Sequence, residues 1–123
     1  MPEEGKPWRV LLKGAFQSGW LLCEQEEKDR VFRYWIETHK KWVTQGARFI
    51  CSLDSELLNV GEALHGSWNF YEVWELPDPA MAKGLLDYYR YPKDGGPRLD
   101  RYFRFEATIG HPIGSVERAM AQA

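Results

Sequence analysis

The chain has 123 residues, 15% of them aromatic with six each of Trp, Tyr and Phe, and its 16 Lys plus Arg against 18 Asp plus Glu leave a formal balance of −2. That composition describes one folded domain able to bury a core without metals or many crosslinks, and it excludes a disordered chain and a basic nucleic-acid-binding face. No apolar run approaches the ~20 residues of a membrane helix, the start Met1-Pro2-Glu3-Glu4 lacks the order of an export signal, and Cys23 and Cys51 fall in different predicted elements, so a cytoplasmic protein with two reduced thiols is expected.

Residues 1–7 are polar and Pro-bearing and read as a frayed extension. Trp8 to Phe16 carries β-formers without helical spacing and is the first predicted strand, with Lys13 on the face opposite Val10, Leu12, Gly14 and Phe16. Cys23 to Gln45 is the longest predicted helix. Glu24, Glu26 and Glu27 at its start and Lys40 and Lys41 near its end suit the helix dipole, and Gly46 fits a left-handed stop. Within it Phe32, Trp35, Ile36, His39, Trp42 and Val43 recur at the spacing of one helical face, so a single polar side chain, His39, interrupts a bulky apolar stripe.

Ala47 to Leu53 reads as a second strand, and Asp54 to Ser67, with Asn59, Gly61 and Gly66, as an extended arm or loop. Trp68 to Leu76 is the third strand, with Trp68, Phe70, Glu72 and Trp74 on one side and Tyr71 and Val73 on the other. Asp78-Pro79 is an N-cap and first-turn pair opening a second helix, which Gly84 weakens and the turn-rich residues from Pro92 to Pro97 end. Leu99 to Ile109 is the last strand, alternating Phe103, Phe105, Ala107 and Ile109 with Tyr102, Arg104, Glu106 and Thr108, and residues 115–123 form a short terminal extension of one or two helical turns.

Strand, helix, strand, strand, helix, strand is the α+β, ferredoxin-like βαββαβ order, in which two helices cover one face of a four-stranded antiparallel sheet. With the apolar rows under the helices, the second face would carry Lys13, Phe70, Glu72, Trp74, Arg104 and Glu106. An aromatic face of that kind needs cover, and a second copy supplies it, so a homodimer whose sheets enclose a space is expected.

His39 is the one stripe residue able to move a proton near neutral pH, and it reads either as a general acid or base or as a core histidine bonded to a backbone carbonyl or a neighbour. Glu72 and Glu106, expected near Lys13 and Arg104, read either as groups that set the polarity of a site or as an ion-pair network. Tyr34, Trp35, Trp68, Phe70, Trp74 and Tyr102 offer flat walls for an aromatic ligand, or dimer-core packing without one. His39, His65 and His111 match no metal-ligand spacing, and the Gly-x-Gly-x-x-Gly, Gly-Lys-Ser/Thr, His-Glu-x-x-His, Cys-x-x-Cys and Gly-x-Ser-x-Gly motifs are missing. No metal and no cofactor are expected.

The element order, Phe32, Tyr34, Trp35 and His39, the pair Glu72 and Trp74, and the closing Glu106-Ala107-Thr108-Ile109-Gly110 resemble the dimeric α+β barrel superfamily, nearest to its EthD-type and antibiotic-biosynthesis-monooxygenase-type members. The chain is also similar to small proteins of indole-3-acetate catabolic gene clusters. The resemblance implies a cofactor-free enzyme acting on an aromatic or cyclic metabolite by proton transfer, isomerisation or oxygenation. By position it puts His39 toward the interior. The long 54–67 segment, and Lys40 and Lys41 where a Pro often follows the histidine, depart from that pattern. The expected function is such an enzyme, with His39 as acid or base and Glu72, Arg104 and Glu106 setting polarity in a pocket between sheet and first helix. The alternative is an aromatic-ligand-binding accessory protein of a degradative pathway.

Overall fold

The computed structural model describes residues 7–55, 60–61, 68–92 and 94–123. Its strands are β1 (Trp8–Phe16), β2 (Arg48–Asp54), β3 (Phe70–Leu76) and β4 (Phe103–Gly110), and its helices α1 (Ser18–Leu22), α2 (Gln25–Thr44), α3 (Ala80–Arg90) and α4 (Gly114–Ala121). The strands form one antiparallel sheet in the order β2-β3-β1-β4, compatible with a ferredoxin-like arrangement.

Local chemistry accounts for most of these boundaries. β1 has the expected limits. α2 ends where Gly46 takes φ +105°, a backbone angle that only glycine adopts freely. The Asp78 carboxylate accepts the Ala80 amide at 2.9 Å and so opens α3. The expected 54–67 arm lies largely outside the described residues.

Two elements were not anticipated. After β1 the chain continues directly into α1, where the Trp20 and Leu21 amides both donate to the Gln17 carbonyl. Leu99, assigned to the last strand, is instead fully buried in a 3-10 turn spanning Leu99–Arg101. These two pieces touch: a Cβ on Gly19 would lie 2.4 Å from the Arg101 carbonyl oxygen, so glycine is required for that close approach.

The register of β1 against β3 pairs Val10 with Trp74, Leu12 with Glu72 and Gly14 with Phe70. Directly paired residues share a face. Phe70, Glu72 and Trp74 therefore lie with Val10 and Leu12 on the helix-covered side, which corrects the expectation that placed them with Lys13, Arg104 and Glu106. The magnitudes explain the outcome. Burying about 200 Å² of an aromatic side chain is worth roughly 5 kcal/mol, so the fully buried Trp74, with the partly buried Phe70, outweighs the cost of one carboxylate that keeps its hydrogen bonds.

The core joins Val10, Trp74 and Phe103 of the sheet to Val31 and Trp42 of α2 and to Leu85 and Tyr89 of α3. Trp42 meets Trp74 edge-on at 4.7 Å, and Tyr89 packs on Phe105 at 4.5 Å, so both helices cover the same face. The opposite face is mainly ionic. Glu75 pairs with Arg9 and Arg48, Arg9 reaches Glu117 of α4 at 3.6 Å, and Lys13 meets Glu106 at 3.3 Å.

Candidate functional site

α2 is rotated relative to the stripe read from the sequence. Val31, Thr38 and Trp42 are its buried residues, whereas Phe32 and Val43 are half exposed. The row of Phe32, Trp35, Ile36, His39 and Val43 instead walls a cavity of about 690 Å³. The edge strand β2, exposed along its length, closes one side with Phe49 and Ser52. β3 forms the floor with Phe70, Glu72 and Trp74, and Trp20, Phe16 and Phe103 complete the wall. A volume of that size suits a drug-sized organic ligand.

His39 and Glu72 form a hydrogen-bonded polar pair in this mainly apolar space, whose described lining also includes Lys40, Ser52, Asp54 and Asn69. His39 Nε2 lies 2.7 Å from Glu72 Oε2, with side-chain exposures of 13% and 7%. The other imidazole nitrogen, Nδ1, is 2.8 Å from the Trp35 carbonyl one helical turn back. Trp74 Nε1 donates to the second Glu72 oxygen at 3.0 Å. A carbonyl can only accept, so Nδ1 donates, and against an ionised Glu72, which also only accepts, Nε2 donates too, which pairs an imidazolium with a carboxylate. Burial works against the charged ring, but the Glu72 hydrogen bond and charge, aided by the Trp35 carbonyl, outweigh it and hold the His39 pKa above its ordinary value.

A second layer holds the pair in place. Trp35 Nε1 donates to the Tyr89 hydroxyl at 3.3 Å, tying α2 to α3 at the residue whose carbonyl receives His39. Burial, with the Glu72 charge adding to it, pushes the Tyr89 hydroxyl well above the usual tyrosine range, so it serves as a neutral partner. The His39 ring also packs edge-on against Trp35 at 4.9 Å and tilted against Trp74 at 5.4 Å.

The structure thus gathers His39, Glu72, Trp35, Phe70 and Trp74 from the residues singled out in the sequence. It separates the others from them. Lys13 and Glu106 pair on the opposite face, where Arg104 and Lys13 lie over the Trp68 ring at 4.9 and 5.8 Å. Tyr34 belongs to an outer cluster, donating to Asp94 at 2.8 Å beside Tyr88. Tyr102 donates to Glu27 at 2.8 Å. His111 stacks on Trp8 at 4.0 Å, and among the described residues no three His, Cys, Asp or Glu side chains are gathered to hold a metal ion.

Trp20, Phe49 and Ser52 were missed as wall residues. Trp20 needed the unforeseen α1, and the inward rows of β2 are offset by the irregularity between Phe49 and Cys51. No protein-family model matches this chain, and no curated protein matches it.

Proposed function

We propose that this chain is a small cofactor-independent enzyme of aromatic or cyclic metabolite catabolism. Its chemistry is a proton transfer, standing alone or as the first step of an isomerisation or oxygenation, at the cavity between sheet and α2. One observation carries the reading: the hydrogen-bonded, largely buried His39–Glu72 pair stands in the wall of a mainly apolar, aromatic-rich cavity of about 690 Å³. Such a pair has a proton to give and an acceptor to take one, and the surrounding apolar walls strengthen its electrostatics.

The strand order supports a ferredoxin-like fold, and a dimer formed through the outer sheet face extends that reading. Support for the dimer comes from the exposed Ile113, Val116 and Met120 of the C-terminal segment and Leu53 of β2, apolar groups that a second copy would cover. Analytical ultracentrifugation tests it, and a monomer at all concentrations would remove the dimer. No described helix is long and apolar enough to cross a membrane, and both cysteines are free, which fits a reducing compartment such as the cytoplasm.

The test is a thermal-shift screen of aromatic and cyclic metabolites followed by product analysis. A substrate stabilises the protein and is converted, and Glu72→Gln lowers turnover about 10²- to 10⁴-fold with the fold intact. Stabilisation without conversion would replace the enzyme reading with that of a ligand-sequestering accessory protein.

A further inference from the structure

Resting on the proton-transfer reading above, we infer that Glu72 is the base that touches substrate, that His39 is its positioning cation, and that the substrate class is an uncharged planar ring bearing an acidic O–H, N–H or activated C–H. The argument starts from valence. His39 has two ring nitrogens and both are engaged, Nδ1 with the Trp35 carbonyl and Nε2 with Glu72, so no lone pair on the imidazole remains for a substrate proton. Glu72 is different. Its two oxygens offer about four acceptor sites, and the bonds from His39 and Trp74 occupy one on each oxygen.

Charge then selects the substrate. The imidazolium and the Glu72 carboxylate cancel, Asp54 adds a second carboxylate to the lining, and Lys40, the cationic lysine among the cavity's described lining, is paired with Glu37 at 3.5 Å. An anionic ligand would lose its hydration without an uncommitted cation to receive it, whereas a neutral ring pays no such cost. The aromatic walls, Trp35, Phe70 and Trp74 among them, suit a planar body. In the step itself the substrate X–H bond breaks, its proton goes to a Glu72 oxygen, and the electron pair stays on the ring system as a delocalised anion. The His39 imidazolium then compensates that anion in place of the carboxylate charge just neutralised, and the same proton returns from Glu72 to the product.

Two matched probes, 2-naphthol as a neutral donor and 2-naphthoate as an anion of the same shape, test this by calorimetry on the full chain. Wild-type protein is expected to bind the naphthol at least tenfold more tightly than the naphthoate, and Glu72→Gln to lose most of that preference. In parallel, ¹⁵N NMR of the His39 ring is expected to show both nitrogens protonated at neutral pH in the wild type and a neutral ring in Glu72→Gln. Tighter binding of naphthoate would overturn the substrate class while leaving the cavity as a binding site, and an unprotonated Nε2 in the wild type would return the base to His39. Binding of neither probe would overturn both this inference and the reading it rests on.

Discussion

Glu72 on β3 stands directly opposite Leu12 on β1, so the carboxylate points beneath α2 to His39 and away from the Lys13 and Glu106 pair on the other side of the sheet. That one cross-strand relationship decides what the site contains, and its consequences can be measured.

The pair ties stability to pH. His39 has a raised folded-state pKa, so its contribution is fully present below the unfolded value of about 6.5 and is lost as pH rises through the higher folded value. Thermal unfolding followed from weakly acid to weakly alkaline pH is expected to show this loss in the wild type. In Glu72→Gln that component disappears. A wild-type profile that gains stability across the same window would refute the pairing.

Trp74→Phe removes the indole N–H from the second Glu72 oxygen while keeping an aromatic ring in the core. Leaving a buried carboxylate oxygen short of a donor costs about 1–3 kcal/mol, and the smaller ring adds to it. Urea denaturation is expected to show a lowered midpoint with an unchanged slope. The His39 ring should stay protonated, since its own two partners remain.

Gly14 lies beneath Phe70, where an added Cβ would come within 2.0 Å of the ring. Gly14→Ala is expected to displace Phe70 into the cavity and to destabilise the protein by about 1–3 kcal/mol. Binding of 2-naphthol should weaken with it. A variant as stable as the wild type with unchanged binding would show that Phe70 does not hold that position.

Asp94 gathers the Tyr34 and Tyr88 hydroxyls, the Lys41 ammonium and the Gly96 amide, fastening the loop after α3 onto α2. The Tyr88 hydrogen bond leads the effects that hold its carboxyl well below the usual range, with burial opposing. Its contribution is present above the unfolded pKa of about 3.9 and fades as pH falls from there through the folded value. Asp94→Asn is expected to cost about 1 kcal/mol near neutral pH, a modest figure because the cluster is solvent-screened. Acid titration of stability checks it: the variant should lose less than the wild type on this limb.

Much of the local structure was legible in the residues. The β-formers from Trp8 to Phe16 matched β1, Gly46 marked the end of α2, and the Asp78 cap opened α3 one turn ahead of its first buried residue. His39 stood out because it is polar within an apolar stripe, and that stripe is divided: Trp42 enters the packed core while Phe32, Trp35, Ile36, His39 and Val43 face the cavity. Glu72 was also a candidate, but its pairing with His39 was not legible. Glu72 shares its parity with Phe70 and Trp74, and alternation divides a strand into two rows without saying which row goes under the helices.

Local propensity and periodicity therefore determined where strands and helices form, because caps, glycine angles and side-chain alternation act over a few residues. The meeting of His39 with Glu72 was decided only when β3 paired with β1 and α2 settled across them, since that register joins residues far apart in the chain and follows from which aromatic rows are buried together.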